Sequence, residues 1–244
     1  MNKFIQYTKD SWKIFQDNWV SFLIICLFQF ILSSICFVPL ALVSSKLNIN
    51  MTSNISTDEA FILSIMRNPL FIYTFTICGV LVLAIFTFCI IASIEVANGE
   101  KSWKKAFQKS WHLFSNAFLL TVLCILLINI GFILFIAPGV FALFLLSLVY
   151  PITAIKKSKP IKTIQQSCHL NITHWKETLI PFIIFWVVFA VVFIISLYIQ
   201  TSILNILIIL VFFPIFYTVL FKDISSRPVI LNNNSEPTNT NEEK

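Results

Sequence analysis

Residues 103–136 read WKKAFQKSWHLFSNAFLLTVLCILLINIGFILFI, and this stretch holds two kinds of segment in series. In its first part, Trp103, Ala106, Phe107, Ser110, Trp111, Phe114 and Phe118 recur at helical spacing. Lys104, Lys105, Gln108, Lys109, His112 and Ser115 occupy the opposite face. That is an amphipathic helix with a basic side. From Ala117 to Ile155 the chain then carries no Asp, Glu, Lys or Arg at all. A basic aromatic helix running into such a segment is the pattern of a chain that lies along a bilayer surface and then enters it.

The same order occurs twice more. Phe4 to Trp19 places Phe4, Tyr7, Thr8, Ser11, Trp12, Phe15 and Trp19 against Lys9, Lys13 and Asp17. Ile161 to Trp175 is a degenerate third copy. Aligning Ser11, Ser110 and Ser167 brings Trp12 onto Trp111 and Cys168, and Trp19 onto Phe118 and Trp175. Five of the six tryptophans (Trp12, Trp19, Trp103, Trp111 and Trp175) fall on these stretches, where an interfacial aromatic belongs. Two explanations stand side by side: true internal repetition, or convergence of membrane flanks on the same residue types.

The composition agrees with a membrane setting. Hydrophobic residues make up 58% of the 244 and charged residues only 11%, against roughly 25% charged in soluble domains. A bilayer core about 30 Å thick needs roughly 20 apolar residues in a helix. Six segments qualify: 20–43, 69–94, 117–136, 138–155, 179–200 and 203–221. Asn68-Pro69 supplies a cap and an N-terminal proline for the second. Ala137-Pro138-Gly139 predicts a tight turn between the third and fourth, which could alternatively form one re-entrant pair. Pro151 and Pro214 should kink later spans or mark their ends. The apolar run Val20–Val43 is much longer than the roughly 7–15 residues of a signal-peptide core, so it reads as a retained span.

Charge gives direction. Fifteen of the 17 Lys and Arg residues flank the spans on one side, and only Lys46 and Arg67 fall on the other. Basic loops stay inside, so both termini are expected in the cytoplasm. The largest external loop, about 44–68, is polar, with Thr57-Asp58-Glu59 set to cap a short helix. Its two Asn-x-Ser/Thr triplets are too common to carry weight. The expected fold class is an all-α polytopic membrane protein with about six transmembrane helices and three amphipathic interfacial helices. Residues 1–221 form one transmembrane domain with candidate repeat units 1–94, 99–155 and 158–221. Residues 222–244, rich in Asn, Ser, Thr, Pro and Glu, read as a disordered cytoplasmic tail.

Site chemistry is sparse. The span interiors hold no Asp, Lys, Arg or His, and Glu95 sits at a span edge, which lowers the expectation of a proton-coupled carrier. Asn129 is the most central polar residue and a candidate for an interhelical hydrogen bond. His112, His169, His174 and Cys168 lack metal-site spacing, and no phosphate loop, nucleophile elbow or carboxylate pair occurs. The six cysteines imply no disulfide framework. No cofactor, metal, catalytic residue or nucleic-acid partner is therefore expected. The candidate lipid-contact residues are Trp12, Trp19, Trp103, Lys104, Lys105, Lys109, Trp111 and Trp175, with membrane lipids and other inner membrane proteins as the expected partners.

Ile130-Gly131, Pro138-Gly139-Val140 and Pro151, with Gln166-Ser167-Cys168-His169-Leu170 after the fourth span, resemble landmarks of the YciC family. These are uncharacterised multi-pass inner membrane proteins of enteric bacteria. The resemblance, which rests on these short motifs and on hydropathy over nearly the whole chain, implies location in the bacterial inner membrane. It brings no catalytic or binding residues. The tail after Lys222 is longer than that pattern leads one to expect. The expected role is non-enzymatic, in the cell envelope, through lipid or membrane partners; the alternative is a small-solute or lipid permease.

Overall fold

The computed structural model describes residues 2–46, 68–199 and 211–226. Eight helices account for nearly all of them: α1 (Asn2–Lys46), α2 (Pro69–Ala97), α3 (Trp103–Leu134), α4 (Ile136–Leu145), α5 (Val149–Lys156), α6 (Pro160–Thr173), α7 (Trp175–Ile199) and α8 (Phe213–Ser225). The protein is all-α and polytopic. By length and composition, five helical segments among the described residues can cross a membrane, with α4 and α5 together forming one of them. The first part of the sixth expected span, the external loop with its Thr57 cap, and the tail from 227 onward lie outside the described residues.

Helix lengths separate surface from core. At 1.5 Å per residue the 45 residues of α1 and the 32 of α3 reach about 68 and 48 Å, well beyond a hydrocarbon core of about 30 Å. The excess in each corresponds to its basic amphipathic stretch.

Asn68 caps α2 as its sequence predicts, its side-chain oxygen accepting from the backbone of Leu70 at 3.1 Å and Phe71 at 3.3 Å. The α2–α3 connection turns at Gly99, whose φ of +115° is a conformation that side chains other than glycine resist.

The α3–α4 turn falls earlier than expected. Phe135, with extended φ and ψ of −168° and 161°, is the single residue between the helices, and Pro138-Gly139 lies inside the first turn of α4. The reason is close approach of two glycines. A Cβ on Gly131 would stand 2.9 Å from the Gly139 Cα, and a Cβ on Gly139 would stand 2.5 Å from the Phe132 ring. Pro151 and Pro214 both sit in the opening turn of a helix, α5 and α8, so they mark ends rather than mid-helix kinks.

Packing is uneven along the bundle. The buried core gathers Phe22 and Ile25 of α1, Cys89 to Ala97 of α2, Ala106, Leu113 and Ala117 of α3, Ala154 of α5 and Ile215 of α8. A second cluster joins Tyr7 to Leu148, Ile152, Tyr217, Leu220 and Phe221. Both lie near the charged end of the bundle. Toward the other end, Leu70 to Leu81 of α2 and the α3–α4 tip are largely exposed, and Ile133, Phe135 and Ile136 are at least three-quarters exposed. A contiguous apolar surface of that kind is suited to a membrane or to a protein partner.

Gly131→Ala is expected to lower stability in mild detergent by about 1–3 kcal/mol, because backbone must move. Gly79→Ala, with open space around its Cβ position, should be neutral or slightly stabilising. Denaturant titration of the two variants checks the difference.

Candidate functional site at the basic ends of the helices

The three amphipathic stretches reach the bundle in three different ways. The first is the start of α1, which is interrupted at Asn18 (φ −129°, ψ 17°) before the apolar segment begins. The second runs into its span without a break. The third is a separate helix, α6, which ends at His174, and Thr178 secures the corner by donating to the His174 carbonyl at 3.2 Å.

The structure joins the basic ends of these elements. Lys3 pairs with Glu177 at 3.0 Å, and the Tyr7 hydroxyl donates to Asp223 at 2.6 Å. Ser21 donates to the Lys101 carbonyl at 3.2 Å, and the Lys156 ammonium lies 5.6 Å from the centre of the Phe221 ring. The α1 start, the α2–α3 turn, the end of α5, the start of α7 and the end of α8 therefore share one end of the molecule.

The candidate lipid-contact residues lie on its outside. Trp12, Trp19, Trp111 and Trp175 are exposed, Trp111 most of all at 72%, while Trp103 is half-buried. These tryptophans flank the buried stripe instead of forming it. The stripe has matching positions in the three stretches, Tyr7 and Ser11, Ala106 and Ser110, Thr163 and Ser167, all small but Tyr7. Lys104, Lys105 and Lys109 are exposed. Lys104 sits over the Trp103 ring at 5.5 Å, and Lys176 sits over Trp175 at 5.7 Å. Lys109 is already engaged, with Glu100 at 2.8 Å and buried Glu95 at 4.0 Å. The Lys109 hydrogen bond holds the Glu100 carboxyl below its ordinary range. Lys104 and Lys105 make no ion pair among the described residues, so within this helix they are the lysines open to an external anion.

Asn129 does not join helices among the described residues. It is exposed and donates to Ile125 of its own helix at 2.8 Å. Two other groups do that work. Thr121 bonds Thr87 and Tyr150, each at 3.1 Å, tying α2, α3 and α5 together. Asn171 and Ser167 of α6 reach the gap between α4 and α5. The Asn171 amide donates to the carbonyls of Phe144 at 3.1 Å and Leu145 at 3.0 Å, and Ser167 donates to Leu145 at 2.6 Å. At the break over 146–148 the Phe144 carbonyl keeps a turn bond from the Ser147 N–H at 3.2 Å, and the α6 side chains add donors to it and to Leu145.

Sequence reasoning misses this clamp because Asn171 lies in the most divergent of the three stretches, at the position of Phe15 and Phe114 in the other two. The signal for it is a polar residue four positions after Ser167, on the same helical face. Among the described residues, no three His, Cys, Asp or Glu side chains gather as a metal site. Burial pushes the Cys168 thiol up, away from thiolate chemistry.

Comparison of the chain with protein-family models, with curated proteins and with solved structures finds no match.

Asn171→Leu is expected to cost about 1–2 kcal/mol, since it removes the amide bonds to two carbonyls that keep only Ser167 and the Ser147 backbone N–H as donors. Asn129→Leu should change stability by less than about 0.5 kcal/mol. Unfolding in mixed micelles separates the two.

Proposed function

We propose that this is a non-enzymatic protein of the bacterial inner membrane, related to the YciC family, that engages anionic lipid and membrane partners on its cytoplasmic face. The observation that carries the reading is the outward-facing pair Lys104 and Lys105, set between exposed Trp111 and half-buried Trp103 at the joined basic end. Basic groups beside interfacial tryptophans suit anionic headgroups, and each lysine near such a surface contributes about 1 kcal/mol. The one-sided distribution of Lys and Arg supports cytoplasmic termini.

A second reading, a small-solute or lipid permease, draws its support from the interrupted α4–α5 span, since broken helices recur at transport sites. Reconstituted liposomes that move no lipid or solute from broad panels would count against it.

The first reading is tested in bilayers with a variant whose sole tryptophan is Trp111. Brominated phosphatidylglycerol should quench it in preference to brominated phosphatidylcholine. Lys104→Gln with Lys105→Gln should lower that preference about thirtyfold. An unchanged preference contradicts the lipid role of this helix.

A further inference from the structure

The three aligned serines are all buried, Ser11 at 4% exposure and Ser110 and Ser167 at 0%. Two have partners. Ser110 donates to the Ala106 carbonyl at 2.7 Å, four residues back in its own helix, and Ser167 donates to Leu145 at 2.6 Å. The Ser11 hydroxyl has no partner among the described residues. An unpaired hydroxyl in an apolar setting is costly, so its position is informative.

Ser11 lines a crevice of about 390 Å³ between the start of α1 and the facing sides of α7 and α8. Phe4, Trp12, Val188, Phe212 and Phe216 form most of its wall, which is almost wholly apolar. The volume lies in the roughly 300–1,000 Å³ range of small-ligand sites. A second cleft shares Phe4, Thr8 and Trp12 with it and is lined by Lys9 and Lys13, with Asp17 also contributing. Both lysines are exposed. An apolar slot, a buried hydroxyl and two cations thus follow one another across a few turns of one helix.

We infer that this crevice is a binding site for an anionic glycerophospholipid. One acyl chain occupies the slot, an ester oxygen accepts from Ser11, and the headgroup phosphate meets Lys9 and Lys13. A hydrocarbon chain matches the slot, an ester oxygen supplies the acceptor the hydroxyl lacks, and the phosphate complements the lysine charge. The inference rests on the reading that this end of the molecule meets anionic lipid, but it names a different helix and different lysines.

The test uses the full chain in phosphatidylcholine nanodiscs containing a minor share of phosphatidylglycerol with a diazirine in its acyl chain. After irradiation, cross-links should concentrate on the peptides carrying Phe4–Trp12 and Ile184–Val188. Val188→Trp, which fills the slot, should remove most of them, whereas Val187→Trp, outside the crevice lining, should not. Lys9→Gln with Lys13→Gln should lower the preference for phosphatidylglycerol over phosphatidylcholine at these peptides about thirtyfold, and this pair leaves the core intact if Val188→Trp does not fold. Ser11→Ala should weaken labelling about threefold.

Uniform labelling of the whole apolar surface overturns the site. So does labelling indifferent to all of these variants, or occupation by a second copy, seen as Val188→Trp shifting a dimer to monomer with lipid labelling unchanged. If the crevice fails while the Trp111 quenching preference stands, only the site is wrong. If the Trp111 preference fails while crevice labelling persists, only the lipid role assigned to Lys104 and Lys105 is wrong.

Discussion

Hydrocarbon offers a peptide group no hydrogen-bond partner, and that constraint governs this protein from its fold to its exceptions. A segment crossing a bilayer keeps its amides paired by remaining helical. The structure obeys this over α1, α2, α3 and α7, each long enough to cross. Where the chain departs from helix, between α4 and α5, two side chains of α6 take the carbonyls of Phe144 and Leu145. The third amphipathic helix is therefore more than a surface element, because its buried face completes a neighbouring span.

The same constraint explains where the molecule is tightly packed. Between helices in lipid there is no water to exclude, so small residues and hydrogen bonds favour association more than apolar area does. The buried stripe of the lead-in helices is accordingly built from Ala106, Ser110, Thr163 and Ser167, with Tyr7 and Ser11 in the first copy. The tryptophans are displaced to the flanks, where Trp12 stacks on Phe212 and Trp111 meets Phe88 edge-on. Apart from Tyr7, the inward groups are small and let backbones approach, and the tryptophans lie to the outside of them.

Hydropathy, charge bias and local capping signals are legible in the amino-acid sequence. Asn68-Pro69 starts α2 because an N-cap is a property of adjacent residues. The polar contacts are not legible there, because they depend on which helix lies opposite. Asn129 has the central position and bonds only within its own turn, while Asn171, in the degenerate copy, makes the clamp. The α3–α4 turn is displaced for the same reason. Pro-Gly composition points to residues 137–139, but the chain reverses at Phe135, where Gly131 and Gly139 let two backbones touch. The lysine stretch reads as a surface from its periodicity, yet only the structure divides it into engaged Lys109 and open Lys104 and Lys105.

The proposed role requires one end of the bundle to hold nearly all the basic charge and to face the cytoplasm, with the apolar helices crossing away from it. Lys46 closes α1 at its far end and Lys101 lies in the α2–α3 turn at the basic end. The direct measurement is labelling with a membrane-impermeant maleimide in intact cells and in inverted vesicles, using Lys46→Cys and Lys101→Cys in a chain without native cysteines. Position 46 should react only from outside and position 101 only from the cytoplasmic side. Reaction of both positions from the same side would overturn this orientation and the lipid-facing role built on it.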